Sequence, residues 1–154
     1  AEQHYDVLRA DALCALPVGT VAAPDCALFL WASSPMLPDA FRLIEAWGCR
    51  FKTVAFAWIK TTRNSQPSWV PKWHFGMGHW TRANVELCLL ATRGHPKVLV
   101  HDVAQLIVAP VREHSRKPDE AHERIERLVC GPYLELFARR AVPGGVAWGN
   151  EVPL

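Results

Sequence analysis

Pro24-Asp25-Cys26-Ala27-Leu28-Phe29-Leu30-Trp31-Ala32-Ser33-Ser34-Pro35 sets a short apolar run, Leu28 to Trp31, between two groups of turn formers. A run of that length without a polar face suits a strand buried on both faces, and it reads as a central strand of a sheet. Downstream, Pro38-Asp39 opens an amphipathic stretch with Phe41, Ile44 and Trp47 at helical spacing, and Gly48 supplies the stop. Phe51 to Lys60 is rich in Phe, Val, Thr, Trp and Ile and predicts a second strand. Strand, helix and strand in about 35 residues form a βαβ unit, whose crossover is expected to be right-handed.

The pattern continues outward from this unit. Val85 to Ala91 and Gln105 to Ala109 predict two more strands. Pro118-Asp119-Glu120 then places a proline and two acids in the first turn of a helix, where carboxylates complement the helix dipole. Ala121, Ile125, Leu128 and Val129 give that helix one apolar face, Arg124 and Arg127 lie toward its end, and Gly131-Pro132 stops it. Tyr133 to Ala138 reads as a last buried strand, and Val146 to Gly149 as a short edge strand. Strands alternating with helices argue for an open α/β sheet of Rossmann type, with its ligand crevice at the carboxyl ends of the strands. The chain of 154 residues is about one domain's worth.

Charge is unevenly distributed. The net charge is only +2, yet residues 60 to 97 carry Lys60, Arg63, Lys72, Arg82, Arg93 and Lys97 against Glu86 alone. The dense phosphate charge of a nucleic acid would attract such a segment, and a solvated basic loop is the plainer alternative. Thr61 to Thr81 has no helical period and mixes Trp69, Lys72, Trp73, His74, Phe75, His79 and Trp80 with Pro67, Pro71, Gly76 and Gly78, so it reads as a long loop. Loops beyond about 12 to 15 residues are usually functional or disordered. Its aromatics can stack on unpaired bases while its cations grip phosphates, or they can anchor the loop to the core.

The five cysteines are odd in number, scattered and never in a C-x-x-C pair, so they suggest neither a disulfide framework nor a zinc site, and a reducing cytoplasm is expected. No run of about 18 apolar residues and no basic-then-apolar leader occurs, so membrane insertion and secretion find no support. The sequence lacks G-x-x-x-x-G-K-[ST], G-x-G-x-x-G after a strand, H-E-x-x-H and G-x-S-x-G, which removes the usual marks of nucleotide hydrolysis, nicotinamide chemistry and zinc or serine hydrolysis. Among the histidines, His4, His95, His101 and His122 are isolated. His114 instead sits in Arg112-Glu113-His114-Ser115-Arg116-Lys117-Pro118, a polar loop leading into a helix N-terminus, where an open α/β sheet places ligands and where an anion or carboxylate is readily held.

Read together, the segments resemble the adenine-N6 methyltransferase family that includes the catalytic subunit of the eukaryotic messenger-RNA adenine methyltransferase and many phage and bacterial DNA adenine methyltransferases. The resemblance rests on His4-Tyr5, Leu16-Pro17-Val18, Leu28-Phe29-Leu30-Trp31, Ala46-Trp47-Gly48, Trp58-Ile59-Lys60 and Gly76-Met77-Gly78-His79-Trp80-Thr81-Arg82-Ala83-Asn84. It continues through Glu86-Leu87-Cys88-Leu89-Leu90, Arg112 to Glu120, Ile125-Glu126-Arg127-Leu128, Glu135-Leu136-Phe137-Ala138-Arg139 and Trp148-Gly149-Asn150-Glu151. The joint order and spacing carry it, and the bacterial and phage branch is the nearer.

The resemblance implies a Rossmann-like methyltransferase sheet in permuted order with helices on both faces, in a single domain over residues 1–154. It implies S-adenosyl-L-methionine as cofactor and the N6 amine of adenine in DNA as acceptor, in a restriction-modification or prophage setting. An RNA adenine methyltransferase, or a non-catalytic nucleic-acid-binding partner subunit of such an enzyme, stays open beside it, as does a monomer or a dimer. Lys117, Arg139, Asn150 and Glu151 would bind the cofactor. His114, Ser115 and Arg116 would gate the target adenine with Tyr5 approaching from the other side, and Lys72, Trp80 and Arg82 would hold the nucleic acid. The family's catalytic Asp-Pro-Pro-Trp does not occur in the sequence, and is expected upstream of Ala1.

Overall fold

The computed structural model describes residues 8–63, 72–113, 116–138 and 144–149. Its elements in chain order are α1 (Ala10–Cys14), α2 (Val18–Val21), β1 (Cys26–Ala32), a 3-10 turn (Ser34–Met36), α3 (Leu37–Ala46), β2 (Arg50–Thr61), β3 (Val85–Arg93), β4 (Leu106–Pro110), α4 (Asp119–Leu128), β5 (Tyr133–Leu136) and β6 (Gly145–Trp148). Contacts divide the chain into two compact units, one of Ala1–Pro96 with Ala104–Ala121, the other of Lys97–Val103 with His122–Leu154. Among the described residues, no helix is long and apolar enough to cross a membrane.

The first unit is built on a mixed sheet in the order β1-β3-β2-β4. β1 and β2 each run antiparallel to β3 between them, and β4 adds to β2 in parallel. Alternation along the strands turns Leu28, Leu30, Ala32, Leu87, Leu89 and Ala91 to one face, where they meet Ala40 and Ile44 of α3. The helix forms where its apolar period predicts, burying Ala40, Leu43 and Ile44, and Trp47 behind it donates its indole N–H to the Leu13 carbonyl at 3.0 Å. It ends because Gly48 takes a φ of 77°, which lets the Gly48 and Cys49 amides turn back to the Glu45 and Ile44 carbonyls.

The strands of the βαβ unit are therefore found, but the central position expected for β1 is corrected. Among the described residues β1 pairs with β3 alone and takes the outer place. An apolar run reports how the faces of a strand are covered and says nothing about its edges. The interior place belongs to β3, where Cys88, Leu89 and Ala91 are at most 1% exposed, while Cys26 to Trp31 are only half-buried.

In the second unit, β5 and β6 form a two-stranded parallel ribbon. Tyr133 donates its hydroxyl to the Val129 carbonyl at 2.7 Å, Arg127 pairs with Asp102 at 2.8 Å, and Phe137 meets Trp148 edge to face at 5.5 Å. The buried strand expected from Tyr133 to Ala138 is also corrected. It stops at Leu136, Phe137 turns to a φ of 60°, and Leu134 and Phe137 stay 43% and 45% exposed, because a two-stranded ribbon covers little of its own faces.

Candidate functional site

The carboxyl ends of β1, β2 and β4 and the start of β3 share one edge of the sheet, since Ala32 pairs with Leu87, Ile59 with Val85 and Thr61 with Pro110. Strand alternation puts Trp31, Trp58, Glu86 and Cys88 on the face turned away from α3, and Lys60 follows Trp58 by two residues. Onto this corner the loop before α4 brings Lys117, seated by the buried Pro118 next to it.

Glu86 organises the corner. One carboxylate oxygen takes a hydrogen bond from Lys117, and the other lies 2.9 Å from the Lys60 ammonium. Each lysine also lies by a tryptophan: Lys60 is 4.9 Å from the Trp58 ring centroid, and Lys117 is 5.7 Å from that of Trp31. The two indoles meet edge to face with centroids 6.3 Å apart, and Trp58 is fixed by donating to the Ala109 carbonyl of β4 at 2.9 Å. Burial alone would raise the Glu86 pKa, but Lys117 and then Lys60 outweigh it and hold the carboxyl below its ordinary range. Two ammonium groups thus share one carboxylate, and each has further N–H donors to offer an anionic group. Cys88, on the same face of β3, has no exposed surface, and burial pushes its thiol up to about 12, so it is no nucleophile.

Beside this corner Arg63, Pro110, Val111, Arg112 and Glu113 line a concavity of about 290 Å³. Arg63 donates to the Arg112 carbonyl at 2.5 Å, and Asp119, in the first turn of α4, receives Arg112 at 2.5 Å and Arg116 at 3.4 Å. Arg116 also pairs with Glu113 at 3.1 Å, and hydrogen bonding to Arg116 is the first cause holding the Glu113 carboxyl below its usual range. Arg116, expected in a gate over the base, is here engaged in stapling its own loop to the helix.

The described part of the basic loop is tied to the strand ends. Thr61 bridges to Trp73, the Thr62 amide donates to Lys72, and the His74 amide donates to Lys60. Among the described aromatics of the loop, Trp80 and Phe75 do not anchor it, since they are 99% and 65% exposed. Arg82 donates to the Gly76 carbonyl at 2.6 Å, and Lys72 is exposed. Among the described residues, no group of three His, Cys, Asp or Glu is placed to hold a metal ion.

Of the residues singled out from the sequence, the structure brings Lys117 to the sheet edge and Lys72, Trp80 and Arg82 to the loop joined to it. Tyr5, His114, Ser115, Arg139, Asn150 and Glu151 lie outside the described residues. Sequence reasoning did not single out Glu86 or Lys60. The signal was present: Glu86 is the one acid among six cations over residues 60 to 97, and it stands at the head of an apolar strand.

The chain is similar to known proteins over nearly its whole length. A family model described as MT-A70 matches residues 1–151. The Type II methyltransferase M.MunI of Mycoplasma sp is 31% identical over 157 residues, which cover 99% of this chain and 62% of that protein. The N(6)-adenosine-methyltransferase MT-A70-like of Arabidopsis thaliana is 31% identical over 98% of the chain and 22% of its own length. The human N(6)-adenosine-methyltransferase catalytic subunit METTL3 is 30% identical over 98% of the chain and 26% of its own length. The chain therefore spans less than two thirds of the length of each of these relatives.

Proposed function

The chain belongs to the MT-A70 family, and on that premise we propose that it acts in methyl transfer from S-adenosyl-L-methionine to the N6 amine of adenine in DNA. The observation that carries the reading is the Lys60, Glu86 and Lys117 cluster at the sheet edge formed by the carboxyl ends of β1, β2 and β4, the kind of edge at which an open α/β sheet receives its ligand. When bound, the donor supplies an electrophilic methyl group on a sulfonium.

The residues present fit part of such a donor. Lys117 is half-buried, tethered by Glu86 and backed by Trp31, so its remaining N–H donors suit the carboxylate of the aminoacyl tail, whereas a sulfonium would be repelled by it. Glu86 keeps both lysines fixed before any ligand arrives, which lowers the ordering cost of binding. Arg139, Asn150 and Glu151 are assigned to the ribose and neighbouring polar groups by family resemblance. The Asp-Pro-Pro-Trp that meets the amine in the family is not among residues 1–154, so this chain's own residues are assigned to binding and positioning.

An adenine reaches such an edge only from a single strand or after leaving the duplex stack. Lys72, Arg82 and Trp80 would grip the nucleic acid as it does so. DNA is preferred as acceptor because the sequence motifs resemble the bacterial and phage branch, and because the match covers 62% of the length of M.MunI but about a quarter of that of the N(6)-adenosine enzymes. Those latter relatives favour a second reading, an RNA acceptor. The unpaired cysteines suit a cytoplasmic, reducing setting, and a restriction-modification or prophage role follows from the branch resembled. Incubating the complete gene product with methyl-labelled donor and equimolar unmethylated DNA and RNA tests both. Label recovered as N6-methyladenine in DNA supports the first reading, label in RNA alone supports the second, and label in neither refutes both.

A further inference from the structure

The tip of the loop between β2 and β3 carries a feature that phosphate binding does not use. Trp80 is 99% exposed, Met77 93% and Phe75 65%. Water penalises apolar surface of this kind, so an unshaped loop would fold it inward. This loop is shaped to hold it out. The Gly76 amide donates to the Ala83 carbonyl at 2.9 Å, Arg82 closes the neck from its side chain to the Gly76 carbonyl, and the Lys60 amide reaches Asn84 at 2.8 Å. A Cβ at Gly76 or Gly78 would collide with the carbonyl oxygens of Ala83 and Thr81, so only glycine permits so tight a turn. The neck is fastened to the strand ends through the bridge from Thr61 to Trp73, on the edge that carries Lys60, Glu86 and Lys117.

The charge around the tip says what it meets. Lys60, Arg63, Lys72 and Arg82 lie in or next to this loop, and the one carboxylate of the segment, Glu86, is engaged by Lys60 and Lys117, so nothing acidic in the loop is left to oppose a polyanion. An apolar point with cationic shoulders matches a nucleic-acid duplex, in which a stack of apolar base faces lies between two rails of phosphate.

We propose that the turn from Gly76 to Ala83 is a wedge: Trp80, with Met77, enters the base stack of a duplex and fills the space that the extruded adenine leaves, while Lys72 holds phosphate beside it. This rests on the nucleic-acid reading above. Filling the gap keeps the flanking bases stacked on an indole, and so holds the target out of the helix long enough to occupy the sheet edge.

The test measures binding by the complete protein to three short DNA probes, a fully paired duplex, the same duplex with one abasic position, and the single strand. A wedge favours the abasic duplex, whose gap is already open, over the paired one by about tenfold. Trp80→Ala and Met77→Ala should reduce that preference toward unity, while Lys72→Ala weakens all three probes alike. Both hydrophobic side chains are almost wholly in solvent, so their removal leaves the fold intact. An unchanged preference in Trp80→Ala overturns the wedge and leaves the nucleic-acid reading standing. No binding of any probe by the wild type overturns both. A change of oligomeric state in Trp80→Ala with the preference unchanged also overturns the wedge, and makes the tip a protein contact.

Discussion

Lys60 on β2 and Glu86 on β3 meet at 2.9 Å across adjacent strands, although β2 has ended one residue later and β3 has only just begun. The contact exists because the long loop between them leaves and returns at one edge, so that a cation at the end of one strand faces a carboxylate at the start of the next. Lys117, from the loop before α4, takes the carboxylate's other oxygen.

Removing that carboxylate leaves two partly buried ammonium groups without their counter-charge. Glu86→Ala should cost about 3 kcal/mol, within the range for breaking a largely buried ion pair, and Glu86→Gln less, because the amide oxygen still accepts a hydrogen bond. Urea denaturation of the three proteins checks both the size and the order.

The same carboxylate makes stability depend on pH in a defined direction. Its folded pKa lies below the ordinary 4.5, so its contribution is fully present above that value and is lost as the pH falls through the lower folded pKa. The stability gap between wild type and Glu86→Gln should thus be constant near neutrality and narrow in acid below 4.5. A gap that widened on acidification would contradict the ion-pair account.

The buried and exposed cysteines should separate chemically. With its thiol pushed up to about 12 and no exposed surface, Cys88 should resist iodoacetamide in the folded protein, whereas Cys130 is exposed and should be alkylated. Peptide mass spectrometry before and after unfolding reads this directly.

Charge reversal in the basic loop should act on nucleic-acid binding through counter-ions. Lys72→Glu should weaken binding of duplex DNA and lower the slope of log affinity against log salt by about one. Arg82→Glu should do so too, and in addition loosen the turn whose neck Arg82 closes onto Gly76. Slopes equal to that of the wild type would leave the loop without a phosphate contact at these positions.

Much of the fold was legible because its strongest signals are local. Leu28 to Trp31 between turn formers, the period of Phe41, Ile44 and Trp47, and Pro118 ahead of two acids each point to one element, and β1, α3 and α4 stand within a few residues of those marks. Sheet order was not legible, because pairing joins residues such as Trp31 and Cys88 that are distant in sequence, and so the outer place of β1 went unseen. The site was legible only in part for the same reason. Lys117 stands in a marked loop, whereas the importance of Glu86 arises from two lysines that the fold brings to it from β2 and from the loop before α4. The ion pairs of Arg116 with Glu113 and Asp119 were likewise not legible, since the loop pattern marks the residue without naming its partners.

Titration calorimetry of S-adenosyl-L-methionine into the wild-type protein and Lys117→Ala is the most direct measurement. If the edge at Lys117 holds the donor's carboxylate, the substitution should weaken binding by about tenfold or more, the worth of a charge-assisted hydrogen bond. Equal affinity in the two proteins would contradict the account, because the donor would then be held without the cation on which the proposed site is built.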